Sequence, residues 1–229
     1  MRNSVWVFVL LVLTVCLLVS NSILAKEIEI ALEAELAQKI QEPMKIDDSD
    51  KGKGASNGKF IWMEGKPKVG GGGTGWAEFL IPIPKKGKYA LWGSVLAWDG
   101  NSDSFWVTWQ PADPNEDAQK TKNTKFRWGV QNGADWQWDQ VNSWLDDGGK
   151  PERIWDFKEA GKTTLRIGVR EDATMLDALF ITSNVKAKSS KDANVRLPTA
   201  KDREIQIRGL AVDSLGKITI TWGRLKQEK

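Results

Sequence analysis

The sequence predicts an all-β protein built as an antiparallel β-sandwich, with a small β-hairpin extension at its C-terminus. Three observations carry this. Short apolar runs recur at brief intervals along the chain, several alternating with a period of two, as half-buried strands do. Turn residues separate them: Lys-Gly at 86–87, Asp-Gly-Asn at 99–101 and a glycine-rich stretch at 70–75. No long amphipathic helix interrupts the series.

The chain opens MRNSVWVFVLLVLTVCLLVSNSILA. One arginine precedes an uncharged apolar run from Val5 to Val19, then a polar stretch and a small residue, Ala25. That is the layout of a secretory signal peptide. The run is shorter than the ~20 residues a spanning helix needs, so cleavage after Ala25 is favoured over a retained anchor. "LTVC" hints at a lipoprotein signal, but Val15 is bulkier than the residue that normally precedes the lipidated cysteine. Residues 1–25 are therefore expected to be removed. The mature protein is expected to be secreted, extracellular or periplasmic, with no membrane attachment.

The single cysteine, Cys16, lies inside this segment, and the 229-residue chain has no histidine. The mature chain thus has no disulfide, no thiolate, no Ser-His or Cys-His nucleophile pair and no histidine metal site. Charge is uneven: 21 Lys+Arg against 25 Asp+Glu over 26–184, and 11 against 5 over 185–229. The near-neutral main part excludes nucleic acid as the expected partner.

Element by element, KEIEIALEAELAQKI (26–40) reads as a strand followed by a short irregular piece. Residues 47–59 and 70–75 read as loops rich in Gly, Asp and Ser. WAEFLIPIP (76–84) puts Phe79, Ile81 and Ile83 on one face of a strand. KYALWGSVLAW (88–98) is apolar on both faces: Tyr89, Leu91 and Val95 on one, Trp92, Leu96 and Trp98 on the other. Its second face must be covered by a loop or used for binding. Strands follow at 104–109, 163–170 and 176–183. The main domain thus spans 26–184. A polar, lysine-rich linker follows at 185–202, and a basic hairpin tail at 203–229, centred on DSLGK. A lone hairpin is marginal in water, so the tail is expected to dock on the domain or on a protein partner.

Twelve tryptophans remain after residue 25, against one tyrosine. Most are expected in the core, among them Trp76, Trp92, Trp109, Trp155 and Trp222. Five sit beside Gly, Asn, Asp or Gln in loop-like contexts: Trp62, Trp98, Trp128, Trp136 and Trp138. Such rings, with acids such as Asp139 beside them, suit a sugar: its C–H face stacks on the indole and its hydroxyls bond the polar side chains. The stretch NGADWQWDQVNSW (132–144) is conflicted as a regular strand, because Trp136, Trp138, Gln140, Asn142 and Trp144 would share one face. A loop through Trp136, with the strand starting near Trp138, resolves the conflict. Trp136 is then displayed and Trp138 partly packed.

LEAEL places Glu33 and Glu35 on one side of a strand, and Asp177 in the last main strand offers a third carboxylate. Oxygen-only donors suit Ca²⁺; the alternative is two solvated glutamates. No spacing singles out a catalytic carboxylate pair, and no enzyme activity is expected.

In order, EAE in the first strand, the glycine-rich loop before GWAEFLIPIPKKGKYALWGSVLA, GNSDSFWVTW, DWQWDQV and GKTTLRIGVREDATMLDALFITS resemble the carbohydrate-binding modules of families 6 and 35. The match runs from about 28 to 184, and its closing motif is its most specific part. The resemblance implies a galactose-binding-like jelly roll and a structural calcium held by Glu33, Glu35, Asp177 and backbone carbonyls. It also implies a sugar site in the loops at one end, with Trp62 and Trp136 (or Trp138) sandwiching the ligand. One departure is Met175, where many sugar-binding members carry asparagine; Arg170, Glu171 and Asp172 lie near enough to substitute. The tail has no counterpart in the module. The expected function is therefore glycan or polysaccharide recognition without catalysis; the alternative is an interaction module of an extracellular assembly.

Overall fold

A computed structural model describes residues 27–209. The expected signal peptide lies outside the described residues, as does the expected hairpin beyond residue 209. The strands are β1 (Glu29–Glu33), β2 (Lys39–Gln41), β3 (Met44–Asp47), β4 (Phe60–Met63), β5 (Trp76–Ile83), β6 (Gly87–Leu96), β7 (Ser104–Gln110), β8 (Arg127–Gly129), β9 (Gln137–Gln140), β10 (Ile154–Phe157), β11 (Gly161–Val169) and β12 (Met175–Thr182). A helix, α1, covers 200–209.

Two antiparallel sheets pack as a sandwich. One runs β10-β6-β12-β4-β3, with β1 also on β12 and β9 also on β6; the other runs β2-β5-β11-β7-β8. The sheets enclose one main core, which includes Phe79, Ile81, Leu91, Phe105, Val107, Trp109, Leu165, Ile167 and Leu179. Alternation along the long strands puts these residues inward. The strands expected from alternation at 76–84, 88–98, 104–109, 163–170 and 176–183 correspond to β5, β6, β7, β11 and β12.

β6 and β12 are buried on both faces. The outer face of this sheet carries two further apolar patches. Trp62, Met175 and Leu96 lie side by side across β4, β12 and β6; with Phe60 and Ala173 they form one patch. Ala31, Phe180 and Trp92 lie side by side across β1, β12 and β6 and form the other, together with Ala187 and Ala193. The segment expected as a free polar linker is thus a strap: Ala187 and Ala193 are 6% and 0% exposed. That cover is why β6 can be apolar on both faces.

The start of the expected hairpin is helical instead. Thr199 and Asp202 form a reciprocal cap, Thr199 N and Oγ1 donating to Asp202 Oδ2 (2.8 and 2.6 Å) and Asp202 N to Thr199 Oγ1 (3.3 Å). This satisfies the first helical turn. In α1 the positions three apart share a face, so Arg203 and Gln206 both turn to the domain while Ile205 and Ile207 stay exposed. The alternation of EIQIR, which reads as a strand, is overridden by that cap and docking.

Candidate functional site

The loops at one end of the sandwich are tied together by backbone hydrogen bonds. Gly73 N donates to Arg170 O (3.1 Å), Asp172 N to Gly71 O (2.9 Å), Ala173 N to Met63 O (2.8 Å) and Gly133 N to Ala97 O (2.8 Å). The glycine-rich loop is therefore docked on the 170–173 turn. Gly75 shows why a side chain is not tolerated there: its φ is +93°, and a Cβ would stand 2.6 Å from Met44 N.

A row of rings lies at this end. Trp98 meets Trp62 edge-on, with centroids 6.1 Å apart. Trp62 lies 5.8 Å from Phe60, and Phe60 lies 5.9 Å from Trp136. The two middle rings are fully buried and the two ends partly buried. The five candidate tryptophans thus separate. Trp136 sits in the loop before β9, half-buried, its Nε1 donating to Gly52 O at 3.2 Å. Trp98 follows β6 at the other end of the row. Trp138 is on β9, half-buried and packed against the strap patch.

Trp62 is not in a loop but in β4, and it is 0% exposed. Its Nε1 donates to Asp47 Oδ2 at 3.0 Å, and the Lys51 ammonium lies 4.9 Å from its ring centroid. Trp128 is likewise a strand residue, in β8, with no exposed surface. Neither ring has an open face to stack on. Asp139 accepts from Trp128 Nε1 (2.9 Å) and Gln131 N (3.1 Å). Both of its oxygens are thus engaged in holding the loop 130–139.

Polar groups flank the ring row. Asp172 adjoins Ala173, which packs within it, and Asp172 Oδ1 is buried without a hydrogen-bond partner. Burial raises the Asp172 carboxyl, and the Glu171 charge adds to this. Behind it lies an acid pair that sequence spacing did not single out. Glu171 Oε2 accepts from Asp103 N (3.1 Å) and Ser104 Oγ (2.6 Å), and Arg170 Nη1 donates to Ser104 Oγ (2.7 Å) and to Glu171. Burial first, then the charge of Glu171 and a hydrogen bond to it, push Asp103 up to about 7.

The three carboxylates expected to hold a cation converge on one turn, 55–57, between the two outer patches. Ser56 N donates to Asp177 Oδ1 (2.7 Å), Ser56 Oγ to Glu33 Oε1 (2.9 Å) and Asn57 Nδ2 to Glu35 Oε1 (3.0 Å). Ser94 Oγ donates to Asp177 Oδ2 at 2.9 Å. A shift of register in β12 between Leu176 and Ala178 sets Asp177 at a bulge, which re-aims its side chain. Glu33, Glu35 and Asp177 are 0%, 7% and 1% exposed. Burial raises Glu35 and drives Asp177 to about 7, with the neighbouring glutamates contributing.

Among the described residues no group of three or more Asp, Glu, His or Cys side chains is arranged closely enough to hold a metal ion. The donor chemistry nevertheless suits a hard cation. Glu33 Oε2 and Glu35 Oε2 are buried without a hydrogen-bond partner, and such an oxygen is costly unless something positive meets it. Sequence reading missed the Ser56–Asn57 turn and also Arg203, which reaches Glu33 Oε1 from α1 at 2.9 Å. The signals available were the polar ASNG turn and the Thr199-x-x-Asp202 capping box.

No protein-family model matches the chain, and no curated protein matches it. Among solved structures, the chain is similar to the C-terminal family 6 carbohydrate-binding module of the laminarinase LamC from Zobellia galactanivorans. The identity is 16%, over 68% of this chain and 99% of that one, with a TM-score of 0.43. It is similar to a family 6 module of Cellvibrio mixtus lichenase 5A, solved with cellotriose, at 14% identity over 66% and 94%, TM-score 0.42. A family 35 module from Clostridium thermocellum gives 12% identity over 67% and 97%, TM-score 0.42. At these identities the likeness is one of fold alone.

Proposed function

We propose that the protein is a secreted, non-catalytic glycan-binding module, with stacking on Trp98 and Trp136. The observation that carries this is the ring row: two partly buried indoles at one loop end, braced by two buried rings. Indole faces offer the sugar C–H surface an apolar platform. A calcium ion held by Glu33, Glu35 and Asp177 is proposed as a structural element that would neutralise the buried acids behind this end.

The test is a titration of the protein lacking residues 1–25 with soluble plant, algal and bacterial polysaccharides, followed by tryptophan fluorescence. A saturable change that W136A abolishes in a folded protein supports the reading. No response across the panel sinks it for those polymers. That result would favour the rival, an interaction module, for which the exposed Ile205 (58%) and Ile207 (51%) on α1 speak.

A further inference from the structure

We infer that Arg203 is a resident counter-ion of the three-carboxylate cluster, and that docking of α1 and binding of a divalent cation there oppose each other. The inference rests on the calcium reading above. It goes beyond that reading by assigning a role to a helix that the sandwich itself does not need.

Glu33 is held by α1 at every polar position except one oxygen. Arg203 Nη1 donates to Glu33 Oε1 at 2.9 Å. Gln206 Oε1 accepts from Glu33 N at 2.9 Å, and Gln206 Nε2 donates to Glu33 O at 3.0 Å and Leu36 O at 3.1 Å. With Ser56 Oγ on the same oxygen at 2.9 Å, Glu33 Oε1 has both lone pairs engaged, and only Oε2 remains open to an ion.

The two kinds of contact differ in what a cation does to them. Gln206 binds backbone, which a metal on the carboxylate leaves alone. Arg203 binds the carboxylate itself, and its charge lies within a few ångströms of any ion on Glu33. With all three carboxylates ionised, as a bound cation would hold them, the one guanidinium leaves two negative charges, enough for a divalent ion. Each cation still weakens the hold of the other, by repulsion at low local dielectric and by sharing one carboxylate. Coupling of this kind is reciprocal: if Arg203 lowers cation affinity, the cation lowers α1 docking by the same factor. The Arg203 side chain is 30% exposed, so it can leave without unfolding the sandwich. The Arg196–Asp202 pair (2.7 Å) keeps the start of the helix anchored.

The experiment is calcium titration by calorimetry into full-length wild type, R203Q and R203K, paired with hydrogen exchange of amides 200–209 with and without calcium. We expect R203Q to bind calcium about tenfold more tightly, within the ~5–150-fold usual for coupled sites, and R203K to stay near wild type. In the wild type, calcium should speed exchange across 200–209 about tenfold; this needs no variant and stands even if R203Q fails to fold. Equal calcium affinity in all three proteins, or exchange that calcium slows or leaves unchanged, overturns the coupling while leaving the metal reading intact. No calcium binding by any of the three overturns both.

Discussion

Trp98 meets Trp62 edge-on at 83°, with ring centroids 6.1 Å apart; Trp62 is fully buried and Trp98 only partly so. Variants of the two rings therefore test support and the proposed glycan contact separately. Trp62→Ala empties a fully buried site and should cost ~3–5 kcal/mol of stability. Trp98→Ala and Trp136→Ala remove rings that are only partly buried, so they should cost less stability. Each should instead weaken glycan binding by about 2 kcal/mol, or roughly thirtyfold, as truncating a tryptophan anchor does. Denaturant midpoints and fluorescence titrations of the same three variants check the split. A Trp62→Ala protein that stays as stable as wild type would show that the ring does not brace the row.

Asp139 fastens the loop 130–139 that leads into β9. Its carboxylate takes the Trp128 indole N–H and the Gln131 amide. Asp139→Ala leaves a buried indole donor unpaired, which costs ~1–3 kcal/mol. We expect a lowered melting temperature together with faster exchange of the Gln131 amide. Asp139→Asn, which keeps one acceptor, should recover part of the loss.

Much of this arrangement was legible in the chain, and what was not has physical reasons. β5, β6, β7, β11 and β12 are seven to ten residues long, enough for a period of two to show. β2 and β8 have three residues each, too few for any period. Trp62 reads as a loop residue because its pairing partner, Met175, stands far along the chain. Trp136 could be placed in a loop because a regular strand would have mixed Gln140 and Asn142 with three indoles. The two glutamates and Asp177 were legible as a group, yet Arg203 was not. EIQIR alternates as a strand does, and only the Thr199–Asp202 cap and the Gln206 contacts to Glu33 make it a helix.

Asp103 predicts a pH dependence with a definite sign. Its folded value is raised to about 7 from an ordinary 3.8, so the folded state holds a proton that the unfolded chain has released between those two values. Stability from this group is therefore present at low pH and lost as pH rises through about 7. The Asp103–Glu171 carboxyl pair, with Arg170 and Lys150 as the nearby cations, should make the protein easier to unfold at pH 8 than at pH 5. Asp103→Asn stays neutral throughout and should flatten this part of the profile. Urea midpoints across pH 4–9 for both proteins measure it; a variant with the slope of wild type would mean that Asp103 titrates normally.

At the opposite side of the core, one oxygen carries three donors. Asp113 Oδ2 accepts from Trp109 N, Arg153 Nη2 and Trp155 Nε1, each at 2.8 Å. Arg153 is stacked between Phe126 and Trp155, 5.0 and 4.5 Å from their centroids, and Nη1 donates to Val107 O at 2.7 Å. Removing the acid strands a nearly buried guanidinium and two N–H groups. Asp113→Ala should therefore cost ~3–5 kcal/mol, the range for breaking a buried pair from one side. Arg153→Met removes the charge as well and keeps most of the packing stem, so it should cost less than Asp113→Ala, and the double variant less than the sum of the two. A double-mutant cycle in guanidinium chloride reads this directly. Strictly additive costs would show that the pair is not coupled, and that the tryptophan donors alone set the role of Asp113.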